Sequence, residues 1–184
     1  MTVGARPAPV RIDDLADPRF SPETAEILTA MAAMAEGARL EPDALMEQAV
    51  AKTGLSDFGD DRFREPLDVL CTAFHTEAGL SGPGVVSNHA LLVQLLANRL
   101  LIEDLLRRHP EIHDGRIEAP IIVCGLPRTG TTHLHNLMAA DPALRSLPYW
   151  ESVEQVLADS ERTAPGEPDP RFARTEVALD CINS

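Results

Sequence analysis

Basic residues are scarce in this sequence, and lysine is almost missing. Sixteen Lys and Arg face 29 Asp and Glu, a formal charge of −13, which argues against a general nucleic-acid binder. Lys52 is the only lysine. Cysteine is rare too: Cys71, Cys124 and Cys181 are far apart and odd in number. They form neither a disulfide framework nor a metal-ligand pattern, and a reducing cytoplasm is the expected location. His75, His89, His109 and His113 occur singly, without the spacing that holds a metal. No apolar run is expected to span a bilayer, and Met1 to Val10 lacks the apolar segment of a cleavable signal. Aromatics are few, and the single tyrosine and single tryptophan are neighbours, Tyr149 and Trp150.

What is present is helix-forming and segmented by proline and glycine. Residues 1–20 are polar and proline-dotted, a loosely ordered arm. Ser21-Pro22-Glu23 is a helix start, with Ser as cap and Pro in the first turn, and the helix ends near Gly37. Glu41-Pro42-Asp43 opens a second helix ending at Gly54; Glu41, Asp43 and Glu47 are its helix-start charges rather than a catalytic dyad. A third covers roughly residues 66–78. The longest runs from about Pro83 to Arg108, with Leu91, Leu92, Leu95, Leu96, Leu100, Leu101, Leu105 and Leu106 forming a wide apolar face. Arg107 and Arg108 suit its C-terminus.

The chain is organised around Pro120 to Leu134. Ile121, Ile122 and Val123 suit a strand buried on both faces. Gly125 and Gly130 permit a tight bend and close approach of backbone to a ligand. From Gly130 the pattern becomes helical, with Leu134, Leu137 and Met138 on one face and Asp141-Pro142 as the stop. A strand feeding a helix through such a loop gathers backbone N–H groups at one point, and that point attracts phosphate. The charge supports this locally: residues 116–150 carry +1, against −9 for residues 1–115 and −5 for residues 151–184.

The spacing from Gly125 to Gly130-Thr131-Thr132 approaches the P-loop of nucleotide-binding proteins. Thr131 stands where that loop has its lysine, and the cation is Arg128 instead. The order Pro127-Arg128-Thr129-Gly130-Thr131-Thr132, continued through Leu134, Leu137, Asp141 and Pro142, resembles the 5′-phosphosulfate-binding loop of sulfotransferases, in particular their bacterial branch. These enzymes use 3′-phosphoadenosine 5′-phosphosulfate (PAPS). The resemblance is dense over about residues 119–151. It implies that Arg128 lies beside the leaving phosphate and the transferring group. It also implies that the amides of Thr129, Gly130, Thr131 and Thr132, with the hydroxyls of Thr131 and Thr132, hold the 5′-phosphate without a metal. A guanidinium suits that role, since it can give two parallel hydrogen bonds.

Residues 143–147 are expected as a short second strand, with Pro148-Tyr149-Trp150-Glu151 beyond its end, where parallel sheets bind ligands. Some bacterial sulfotransferases use a glutamate just after the first helix as the base, and Glu151 holds a similar place. His133 and His135 compete for the role. The structural alternative for Glu151 is an N-cap of a helix from Ser152 to Leu157. Residues 159–170 read as a proline-rich acidic loop, followed from Pro170 by a helix with Phe172, Val177, Ala178 and Cys181 as core contacts.

The expected fold class is therefore α/β: a P-loop-type parallel sheet, incomplete in this chain, preceded by an all-α N-terminal region. The expected division is an arm at 1–20, a helical region at 21–115 and the start of the sulfotransferase domain at 116–184. Too few strands and no recognisable 3′-phosphate site imply an N-terminal fragment of impaired activity. The expected partner is a small-molecule acceptor with a hydroxyl or amine, compatible with a lipid, and no nucleic acid. The alternatives are a P-loop kinase or NTPase, or a non-catalytic helical interaction module.

Overall fold

The computed structural model describes residues 13–14, 17–126, 128–157, 161, 163 and 166–183. Most of the arm therefore lies outside the described residues, as do the side chains of Ala178 and Cys181. Seven α-helices follow in order: α1 (Pro22–Met34), α2 (Pro42–Thr53), α3 (Arg64–Thr76), α4 (Gly82–Arg108), α5 (Thr131–Ala139), α6 (Tyr149–Val153) and α7 (Pro170–Asn183).

The helix boundaries have local causes. Ser21 Oγ accepts from the Thr24 N–H, and Ser81 Oγ accepts from the Gly84 N–H, each satisfying a donor that the first turn leaves open. Gly54, at φ +71°, closes α2 in the left-handed region, which costs glycine nothing. At the far end of α4, Arg107 and Arg108 both bind the Asp104 carboxylate. Their hydrogen bonds, Arg107 first, hold Asp104 below the usual carboxylate range.

The core is confined to residues 40–100. Leu45, Ala49, Phe58, Leu67, Cys71, Leu92, Leu96 and Leu100 are buried together; α4 packs on α2 and α1, and its i, i+4, i+8 row Leu92, Leu96, Leu100 is its contribution to the core. The apolar face of α4 is narrower than its sequence suggests: Leu91 and Leu95 remain half exposed, at 55% and 50%. By length and composition alone α4 could cross a bilayer, which the sequence reading did not anticipate; about a third of its apolar window is buried inside the fold.

The sheet is where expectation and structure part. Among the described residues there is no strand. Residues 121–126 take no regular secondary structure, and Ile121 and Ile122 are 61% and 77% exposed rather than buried. The physical reason is that a strand is stabilised by its ladder and cross-strand contacts, and no described segment lies alongside this one. Residues 143–147 form turns and irregular chain instead of a second strand. The helix around Glu151 also begins earlier than expected. Pro148 occupies its N-cap position and Glu151 lies inside it, so Glu151 is not a cap. Phe172 and Val177 of α7 are exposed rather than core contacts.

Candidate functional site

The loop between residues 125 and 131 has a shape that only its own residues allow. A Cβ on Gly125 would lie 2.9 Å from both Thr129 Oγ1 and Thr131 Cγ2, so the loop folds back on this glycine too tightly for any side chain. Gly130 is excluded from substitution for another reason: nothing crowds it, but its φ is +89°. Thr129 Oγ1 donates to the Leu126 carbonyl at 2.6 Å, which ties the two arms of the loop together. That hydroxyl is spent on the loop's own shape and leaves Thr129 only its amide for a ligand.

Arg128 is one of two described non-glycine residues at positive φ, at +67°. The left-handed region costs an L-residue about 1–2 kcal/mol, and such strain gathers at functional sites. Its side chain is exposed, and among the described residues no partner holds it.

α5 begins directly after Gly130. Its first intrahelical donor is Leu134, whose N–H reaches the Gly130 carbonyl at 3.0 Å, and no side chain caps the helix. The amides of Thr131, Thr132 and His133 thus point outward at the positive end of the helix dipole, beside the Arg128 backbone. Uncapped amides, two threonine hydroxyls and a guanidinium compose a donor set that fits a phosphate or phosphosulfate group.

A cavity of about 630 Å³ opens beside this loop, lined among others by Val123, Thr131, Thr132, His135, Tyr149 and Ser152. The structure therefore brings α6 to the loop, as the sequence implies, but through Tyr149 and Ser152. Glu151 does not line the cavity. Both its carboxylate oxygens accept from Arg145 Nη2, at 2.8 and 3.0 Å. Of the two histidines, His135 is on the cavity wall and half-buried, whereas His133 is exposed.

Four residues that position α6 were missed by sequence reasoning. Asn98 Nδ2 donates to the Val153 carbonyl at 2.7 Å. The Arg171 guanidinium lies 4.8 Å over the Trp150 ring and donates to the Glu154 carbonyl. Arg174 clamps the carboxylates of Glu154 and Glu161. The fourth is Arg145 itself. Asn98 alone left a trace in the sequence, as an amide in the middle of a leucine-rich helix.

Fold and loop together are sulfotransferase-like. Residues 120–180 match the family model described as "Sulfotransferase family". The chain is similar to the crystal structure of sulfotransferase STF1 from Mycobacterium tuberculosis H37Rv, with 34% identity over 78% of this chain and 40% of that one, at a TM-score of 0.64. It is also similar to that of sulfotransferase STF9 from Mycobacterium avium, with 30% identity over 79% of this chain and 38% of that one, at a TM-score of 0.63. The chain thus spans well under half the length of either structure. No curated protein matches it significantly.

Proposed function

We propose that the loop binds the phosphosulfate end of PAPS and that the protein to which this chain corresponds transfers a sulfonate group to a hydroxyl or amine. The observation that carries this reading is the strained Arg128 next to an uncapped helix start, in a segment that matches the sulfotransferase family. Thr131 in place of the loop lysine weighs against a triphosphate, and so against a kinase or NTPase.

When bound, the donor supplies an activated sulfonate group whose departure leaves negative charge on a phosphate oxygen. The residues of this chain act around it. The amides of Thr129, Gly130, Thr131 and Thr132 orient the phosphate as donors fixed by the backbone, which need no rearrangement at the moment of reaction, and the Arg128 guanidinium meets the growing charge. No metal is needed in this arrangement. The cavity beside α5 and α6 receives the acceptor. Its wall combines apolar Val123 and Leu147 with Tyr149 and Ser152, which suits an amphipathic or lipid-like alcohol. A cytoplasmic site of action accompanies this reading, from the three scattered cysteines.

The acceptor's proton needs a base. Glu151 is the proposed one, with Arg145 holding its carboxylate in place. His135 is a second reading, favoured by its position on the cavity wall. Sulfonate transfer from labelled PAPS to a panel of alcohols and amines tests the proposal. Glu151→Gln is expected to lower turnover by about a hundredfold, within the range of general-base catalysis, with His135→Ala close to the parent. The reverse pattern transfers the role to His135, and equal rates in all three proteins exclude both residues. Because the chain spans only part of its relatives, reduced activity compared with a longer chain is also expected.

A further inference from the structure

Asn98 is a buried amide in a helix whose other inward positions are apolar. It is 4% exposed and the one buried polar side chain among the described residues. Burying an amide costs free energy unless its hydrogen bonds are replaced, and here each end of the amide has a partner. Nδ2 donates to the Val153 carbonyl at 2.7 Å, across 55 residues of sequence. Oδ1 accepts from Gln94 Nε2 at 2.9 Å, and Gln94 Oε1 in turn accepts from Lys52 Nζ. The bonds run in one direction, from the charged ammonium on α2, through two amides on α4, to a carbonyl of α6. A cation at the outer end polarises every link toward that carbonyl.

The receiving element cannot hold itself. α6 is five residues long, far below the length at which a helix is stable alone. Val153 is its last residue, so its carbonyl has no intrahelical partner. Pinning that carbonyl fixes the end of α6, and with it Tyr149 and Ser152 on the cavity wall and Glu151 against Arg145. Arg171 also stacks on Trp150 and binds the Glu154 carbonyl at 2.7 Å, so α6 is tied to both α4 and α7.

We infer that Asn98 is a positioning residue: the relay from exposed Lys52 through half-buried Gln94 to buried Asn98 sets the placement of α6, and so of Glu151 and Tyr149, relative to the phosphate-binding loop. A leucine here would add to the core but leave the Val153 carbonyl without a donor. The catalytic consequence rests on the reading of α6 as a wall of the acceptor site; the mechanical consequence does not.

Trp150, the chain's single tryptophan, reports on α6 directly. Asn98→Asp keeps the size and the acceptor for Gln94 but removes the donor to Val153 and sets a carboxylate against its carbonyl. The expected result is a red-shifted Trp150 emission and an acrylamide quenching constant raised about twofold, with far-UV helix content unchanged. Gln94→Leu, which unties Asn98 while keeping its bond to Val153, is expected to give a smaller shift of the same sign. It serves as the readout should Asn98→Asp fail to fold. Emission and quenching identical to the parent in both variants overturn the inference. In turnover assays normalised to the folded fraction, measured by denaturant titration of each protein, Asn98→Asp is expected to lose kcat about tenfold with the PAPS KM within twofold; normalisation is needed because partial unfolding also lowers apparent kcat at constant KM. A Trp150 response without any kinetic response leaves the relay standing and removes α6 from the acceptor site. A Trp150 response in a chain with no turnover at all supports the relay and counts only against the sulfotransferase reading.

Discussion

At the residue scale, the loop depends on two glycines for different reasons, and substitution separates them. Gly130→Ala meets no atom within 4 Å but must adopt φ +89°, a cost of about 1–2 kcal/mol. Gly125→Ala forces Thr129 and Thr131 apart, which breaks the Thr129–Leu126 tie. Gly125→Ala is therefore expected to lose affinity for adenosine 3′,5′-bisphosphate by more than tenfold, and Gly130→Ala by less, as read by isothermal titration. A second residue-scale prediction concerns the thiols. Burial, with Asp68 and Glu41 nearby, pushes the Cys71 thiol up, whereas Cys124 is exposed just before Gly125. Mass spectrometry after alkylation of the native protein is expected to find Cys124 modified within minutes and Cys71 only after unfolding, because the thiolate is the reactive form.

The loop was largely legible at this scale. Gly125, Arg128, Gly130, Thr131 and Thr132 stand out by type and spacing; the structure gives Arg128 and Gly130 positive φ and starts α5 at Thr131. Partners distant in sequence were not legible. Nothing in the order of residues announces that Arg145 binds Glu151 or that Asn98 reaches Val153, because such pairs depend on how elements pack.

At the scale of elements, the helices of residues 22–108 were readable to within about two residues, since Ser-Pro starts and glycine stops are local signals. The strand was not. A run of Ile-Ile-Val expresses a preference for extended backbone, but a strand becomes one only when a neighbour completes its ladder. Residues 121–126 have no such neighbour among the described residues and form no strand. Stability resides in α2 and α4: Leu45 and Leu100 are fully buried there. Leu100→Ala is expected to cost about 2–5 kcal/mol, seen as a lowered midpoint in chemical denaturation, whereas Leu95→Ala on the exposed side is expected to change it by less than about 1 kcal/mol.

The seat of α7 depends on pH. Asp169 accepts from the Nε and Nη2 of Arg171, and these bonds hold its carboxyl below the usual range. A carboxyl depressed in the folded state contributes stability that is complete above its unfolded value, about 3.9, and is lost as pH falls through the lower folded value. Acidification below about pH 4 is therefore expected to loosen Arg171 from Trp150 and change the Trp150 emission. Asp169→Asn is expected to show the altered emission already at neutral pH and no acid transition. An unchanged titration in that variant would place the response elsewhere.

At the scale of the whole molecule, two regions divide the labour. Residues 40–100 hold the core, and α6, with the loop and α5 before it and α7 after it, is joined to that core by polar contacts that include the Asn98–Val153 bond. The acidic charge lies in residues 1–115 and 151–184, while the segment with the loop is near neutral, which lessens the repulsion of an anionic ligand there under the proposed reading. With no strand beside it among the described residues, the loop takes its shape from within, through Thr129, Gly125 and Gly130.

The measurement that bears most directly on the central claim is isothermal titration of the chain with adenosine 3′,5′-bisphosphate, repeated with Mg-ATP and with Arg128→Ala. Saturable binding of the bisphosphate in preference to Mg-ATP is predicted, weakened at least tenfold in Arg128→Ala at unchanged helix content. Equal affinity of parent and variant, or a preference for Mg-ATP, would contradict it.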